Sequence, residues 1–177
     1  MWQGTIGAVL VTIIAIGGID VNAQSGSPRI RPEGAAIRAL IDRGMERSAT
    51  FRDLSTGLDN ANVIVYVRFS RCSGGVPACL VWASAGADAR RLLIKVDRFG
   101  RSPDELTALL AHELQHASEV ASDSEITDLD SFEKSFASRG WKHGAGFETG
   151  EAITISKRVA AELTRPERDG SFERRRP

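Results

Sequence analysis

The stretch His112-Glu113-Leu114-Gln115-His116 combines three side chains that could do chemistry together. On a helix, residues four apart lie on one face, so the two imidazoles can share one Zn²⁺ ion. Glu113 lies about 100° around the helix, beside the metal, where its carboxylate can accept a proton from a zinc-bound water. The alternative is an ordinary polar helix face. Two of the three histidines of the chain fall in this stretch, which favours metal binding.

This HExxH pattern resembles the signature of the zincin metallopeptidases, here of a small, secreted, bacterial type. The resemblance implies one Zn²⁺ bound by His112 and His116, Glu113 as general base, and a peptide or protein substrate. Metzincins continue with a glycine and a third histidine, and residues 117–120 contain neither. The resemblance therefore indicates a gluzincin-like site, in which a glutamate from a later helix is the third ligand.

The segment Phe147–Ile153 offers two glutamates as that third ligand. If the segment is helical, Glu148 shares the face of the apolar residues that follow it, whereas Glu151 falls about 60° away on the polar side. A carboxylate on a buried face needs a partner, and zinc is a suitable one, which favours Glu148. The stretch Gly150–Ile153 resembles the Asn-Glu-Ala-Ile of thermolysin-like enzymes, which favours Glu151.

Three further residues are candidates for the site. Glu119 lies three residues after His116 and could ligate the metal, hydrogen-bond a ligand histidine or be an exposed carboxylate. His143, in a glycine-flanked stretch, could stabilise a tetrahedral oxyanion, ligate the metal or be solvent-exposed. Tyr66 lies in the middle of a predicted strand, and we expect it to be structural.

The elements that position these residues follow from periodicity. Apolar spacing predicts a helix from Glu33 to about Leu54, and capping signals at Ser102, Pro103 and Glu105 begin the motif helix, which should end near Ala121. Further helices are predicted at 131–138 and from near Glu148 to Thr164, separated by a loop at 140–146. Strands are predicted at 63–69, at 80–84 as the hairpin partner of the first, and at 91–99.

These elements predict an α+β fold, with a small antiparallel sheet packed beside the motif helix and the C-terminal helix, as in a minimal zincin. In zincins an edge strand in this region pairs with substrate backbone. The resemblance suggests that role for Leu92–Arg98, which could equally be a core strand.

The N-terminal segment and the two cysteines indicate the compartment in which the protein is located. An apolar run at residues 6–19 and a small-x-small site ending at Ala23 predict a signal peptide over 1–23, although the run could instead be retained as an anchor. A flexible leader at 24–32, a metallopeptidase domain at 33–165 and a disordered charged tail at 166–177 should follow. Export would favour a disulfide between Cys72 and Cys79. Equal numbers of acids and bases, 23 each, give no sign of a nucleic-acid partner, or of a membrane partner unless the N-terminal segment is retained.

Overall fold

The computed structural model describes residues 28–143 and 146–166, without the side chain of His143. The helices are α1 (Ala35–Arg47), α2 (Ala49–Asp59), α3 (Pro103–Ser122), α4 (Leu129–Arg139) and α5 (Gly150–Leu163). The strands are β1 (Ile30–Pro32), β2 (Val63–Phe69), β3 (Ala78–Ala85), β4 (Arg90–Val96), β5 (Trp141–His143) and β6 (Gly146–Glu148). This composition confirms the α+β class.

The four-stranded sheet is mixed, with strand order β1-β2-β4-β3. The strands β1 and β4 both pair parallel to β2, and only β3 pairs antiparallel, with β4. The expected wholly antiparallel sheet is therefore wrong, and so is the hairpin between 63–69 and 80–84, because β4 lies between these strands. The expected edge strand at Leu92–Arg98 is also wrong, since β4 is interior and β3 forms the edge. Antiparallel order cannot be read from the strand sequences, because it depends on where the connections cross.

The core lies between one face of this sheet and the helices. Val65, Leu92 and Ile94 alternate with outward-facing residues along their strands and are fully buried. Leu110 and Leu114 of α3 belong to the same cluster, all of whose residues lie between Ile30 and Leu163.

The motif helix α3 is fixed at both ends. Ser102 accepts a hydrogen bond from the Glu105 backbone, and the Glu105 carboxylate bonds the Ser102 backbone, which forms the predicted capping box. At the other end the Arg90 guanidinium donates to four carbonyl oxygens, those of Val120, Ala121, Asp123 and Ile126. The Val120 and Asp123 oxygens also accept backbone N–H groups, so Arg90 adds to the hydrogen bonding at this end of the helix.

The single helix expected from Glu33 to Leu54 is two helices. Ser48 has an extended backbone and its side chain accepts from the Phe51 N–H, so it ends α1 and caps α2. The break lets the Phe51 ring pack against Gly44 of α1. The sequence did not reveal this cap, because the apolar periodicity continues from α1 into α2.

The region after α3 departs further from expectation. The predicted loop at 140–146 is partly strand, because β5 and β6 pair antiparallel with Trp141 opposite Glu148. The final helix begins at Gly150, with Thr149 as N-cap, rather than near Glu148.

The predicted disulfide between Cys72 and Cys79 is present, and it closes the loop that leads into β3. Part of the expected leader is ordered, since Ile30–Pro32 forms β1. The predicted signal peptide, the rest of the leader up to residue 27 and all of the tail after Pro166 lie outside the described residues. Among the helices of the described part, none is long and apolar enough to cross a membrane.

Candidate metal centre

The two motif histidines and Glu148 form one cluster. His112 and His116 project from successive turns of α3, with ring centroids 4.9 Å apart. Glu148 Oε1 lies 3.1 Å from His112 Nε2 and 3.5 Å from His116 Nε2. One ligand atom from each residue lies within 4.8 Å of the others, so the three could together hold a metal ion.

Glu148 occupies this position for a reason other than the one the helical pattern suggested. It is the last residue of β6, not a helical residue, so the assumed helical wheel does not apply to it. Its Oε1 also accepts a hydrogen bond from the Thr149 N–H, at 2.9 Å. Glu151, the other candidate, lies exposed in the first turn of α5 and is not part of the cluster.

Glu119 binds the far side of a ligand histidine. Its Oε2 lies 3.0 Å from His116 Nδ1, and its Oε1 accepts a hydrogen bond from Thr149 Oγ1 at 2.8 Å. Of the three alternatives raised by the sequence, this geometry fits a carboxylate that orients a ligand histidine. The contact with Thr149 was not expected, although a threonine just before a predicted helix is a typical N-cap and could have been identified as one.

The pKa values of the two imidazoles shift in opposite directions. Burial lowers the pKa of His112, although Glu148 works in the opposite direction. Burial also works to lower the pKa of His116, but its hydrogen bonds to Glu119 and Glu148 outweigh this effect and raise the pKa to about 9. The site thus stabilises a positive charge between carboxylates, which is the electrostatic environment that a bound cation requires.

Glu113 is buried beside the cluster without belonging to it. Glu113 belongs to α3 and is only 5% exposed. Burial raises its pKa to about 7, while the charge of His116 and a hydrogen bond from the Leu80 backbone work to lower it. A carboxyl group with a pKa near neutrality can both accept and release a proton at physiological pH.

A cleft of about 420 Å³ opens over these residues. The edge strand β3 forms one wall, and α4 and β6 form the opposite side. Phe136 of α4 packs edge-on against the His116 ring, with centroids 5.4 Å apart, and Phe132 packs between Phe136 and Trp82 of β3. We call Trp82, Phe132 and Phe136 the aromatic wall. These residues were not among the expected site residues, although the i, i+4 spacing of Phe132 and Phe136 could have indicated that they share a helix face.

Tyr66 is not part of this cluster, and only the backbone of His143 is described. The backbone of His143 is in β5, paired with Gly146, but its side chain lies outside the described residues, so its role stays a prediction. The Tyr66 hydroxyl accepts a hydrogen bond from Arg31 on the sheet, at 3.2 Å, in agreement with the expected structural role.

No protein-family model, curated protein or solved structure matches the chain. The geometry of the cleft is therefore the basis for assigning a function.

Proposed function

We propose that the protein is a zinc-dependent peptidase of the gluzincin kind. The observation that carries this proposal is a three-residue His/His/Glu cluster with a buried carboxylate, Glu113, next to it but outside it. Two imidazole nitrogens and a carboxylate oxygen suit Zn²⁺, and three protein ligands leave a coordination position open, as catalytic sites require. A structural zinc site has four protein ligands and needs no neighbouring base.

In the proposed hydrolysis, each residue of the site has a separate role. A zinc ion held by His112, His116 and Glu148 would act as a Lewis acid and lower the pKa of a water molecule. Glu113 accepts the proton of the attacking water and delivers it to the leaving amine, for which a pKa near 7 is suitable. Glu119 holds the His116 ring in one orientation throughout.

The edge strand β3 is the element we propose for binding the peptide backbone. Among the described strands it pairs only with β4, and an extended peptide can add to such an edge by main-chain hydrogen bonds. Leu80 on β3 contacts Glu113, which brings a peptide on this strand beside the proposed base. The aromatic wall of Trp82, Phe132 and Phe136 suits a large apolar substrate side chain.

The location proposed is outside the cytoplasm. The disulfide supports export, since such bonds persist in oxidising compartments, and the sequence of residues 1–23 has the pattern of a signal peptide. A zinc-binding module without catalysis and a domain held at a membrane by an uncleaved segment are the alternatives.

Zinc content and casein cleavage, compared between wild type and Glu113→Gln, test the proposal. We expect both proteins to bind about one zinc ion per chain, and only the wild type to cleave unfolded casein. Glu125→Gln, an exposed change outside the lining of the cleft, is the matched control and should cleave like wild type. Zinc binding without cleavage in all three proteins would support the non-catalytic module, and a wild type without zinc would refute the metal site itself.

A further inference from the structure

The sheet has a second face that no described helix covers. Residues on this face alternate with the core residues of their strands, and of the residues on it only Ile64 is buried, at 4% exposed. We define the outer face by its residues on the three strands that pair in parallel: Arg31, Ile64, Tyr66, Arg68, Arg91, Leu93 and Lys95.

The outer face carries four cations and no anion. The four strands of the sheet contain no aspartate or glutamate at all. Arg91 pairs with Asp88 beyond the end of its strand. Within residues 28–143 and 146–166, no carboxylate lies at ion-pair distance from Arg31, Arg68 or Lys95. The neutral total charge of the chain therefore conceals a basic surface.

This arrangement has a cost in the isolated protein. Arg68 and Lys95 lie directly opposite each other on neighbouring strands, about 4.8 Å apart, and like charges in this position destabilise a sheet. Arg68 Nε is also buried without a hydrogen-bond partner in the described structure. An anionic partner on this face would relieve both defects.

We propose that the outer face docks onto an anionic lipid surface. The cations lie on one side of the sheet with half-buried Tyr66 and Leu93 between them, and a basic face with apolar residues matches a layer of anionic headgroups. Only ten residues separate the apolar run at 6–19 from Ile30, the first residue of β1. A chain that keeps this run holds β1 and Arg31 within about 35 Å of a bilayer.

Vesicle sedimentation tests this docking without the apolar run. The chain from Gln24 to Pro177 keeps every residue of the core, and its folding is checked by thermal unfolding. We expect it to bind vesicles of phosphatidylglycerol and phosphatidylcholine, but not phosphatidylcholine alone. Raising the salt from about 0.1 M to about 1 M should abolish binding, because it shortens the Debye length from about 10 Å to about 3 Å.

Two pairs of substitutions test whether the outer face is the surface that binds the vesicles. Each cation near an anionic membrane strengthens binding roughly fivefold, so Arg68→Gln with Lys95→Gln should weaken it roughly 25-fold. Lys157→Gln with Arg158→Gln makes the same change of charge on exposed positions of α5 and should bind like wild type. If the first pair does not fold, Arg31→Gln with Lys95→Gln replaces it, with the same loss expected.

The proposal is independent of zinc binding and of catalysis. It is overturned if the wild type does not prefer the anionic vesicles, or if the α5 pair weakens binding as much as the outer-face pair. Binding of heparin, a soluble polyanion, without binding of vesicles would also overturn it, because the face would then recognise a polysaccharide.

Discussion

Each ring nitrogen of His116 lies close to a glutamate carboxylate. Glu148 approaches its Nε2, and Glu119 approaches its Nδ1. Since Glu119 also binds Thr149, the residue after Glu148, one carboxylate links the motif helix to the segment that carries Glu148. Loss of either glutamate should therefore weaken metal binding, but to different degrees.

Glu148→Ala removes a ligand atom and should weaken zinc binding by more than about a hundredfold, beyond the loss typical of an outer partner. Glu151→Ala is the matched control, because Glu151 is exposed and three residues away. Competition with a chelator measures both affinities. An equal loss in the two variants would show that Glu148 is not a ligand.

Glu119→Gln should weaken zinc binding about 10- to 100-fold, because His116 would lose the negatively charged partner that fixes its orientation and raises its basicity. Thr149→Val removes the other contact of Glu119 and should have a smaller effect in the same direction. Glu125→Gln, an exposed glutamate beyond the motif helix, serves as control. Unchanged affinity in Glu119→Gln would leave the carboxylate without a role at the metal.

Stability of the metal-free protein should fall as the pH rises from about 7 to about 9. The pKa of His116 is raised from 6.5 to about 9 in the folded chain. The folded state therefore binds more protons than the unfolded state in this range, and its stabilisation is lost as the imidazolium deprotonates. Urea unfolding in a chelator at pH 7, 8 and 9 measures this decline.

His116→Gln should flatten that dependence, whereas Glu113→Gln should only reduce it, because Glu113 is one of several carboxylates that raise the pKa of His116. Zinc binding should show the opposite sign and strengthen with pH, since the metal displaces the proton of His116. Stability that rises with pH in the metal-free protein would contradict the assigned environment of His116.

At the scale of elements, the junction of α1 and α2 determines how the first helices pack. Gly44 lies where α1 meets the Phe51 ring, and a Cβ atom added there would be 2.6 Å from the ring. Sequence periodicity predicted one continuous helix, and the close approach of Phe51 to Gly44 shows why the chain turns at Ser48.

Gly44→Ala should destabilise the protein by about 1–3 kcal/mol, because the overlap with Phe51 outweighs the better helix propensity of alanine. Gly57→Ala should instead stabilise it by about 0.5–1 kcal/mol, since Gly57 is in α2 and nothing lies within 4 Å of the added carbon. Urea midpoints of the two variants give the comparison. A stabilising Gly44→Ala would mean that α1 and α2 pack less closely.

At the scale of the whole molecule, the candidate metal site connects parts that are far apart in the chain. The motif helix belongs to the core beneath the sheet, while Glu148 is on the small β5–β6 hairpin. A bound metal would therefore join the hairpin to the core in the folded state only.

Zinc at about 100 times its dissociation constant should stabilise the fold by about 2.7 kcal/mol, which corresponds to a rise of roughly 5–10 °C in Tm. Thermal unfolding with and without zinc measures this shift in wild type and in Glu148→Ala. The shift should be largely lost in the variant. An equal shift in both proteins would indicate that zinc binds elsewhere.

Local chemistry was sufficient to predict some features from the sequence. The capping residues of α3 and the i, i+4 histidines depend on helix geometry alone, and so the motif helix was predicted within a residue or so of its ends. The nearby cysteines, seven residues apart, likewise required only a short loop.

Tertiary structure decided the features that depend on distant contacts. Strand order placed β3 rather than β4 at the edge, because the crossover from β2 to β4 is not encoded in either strand alone. Glu148 was the favoured ligand candidate on the assumption of a helix, yet the β5–β6 hairpin carries it to the histidines. Glu148 is half-buried rather than on a buried helix face, and its position results from a pairing of segments that sequence periodicity does not record.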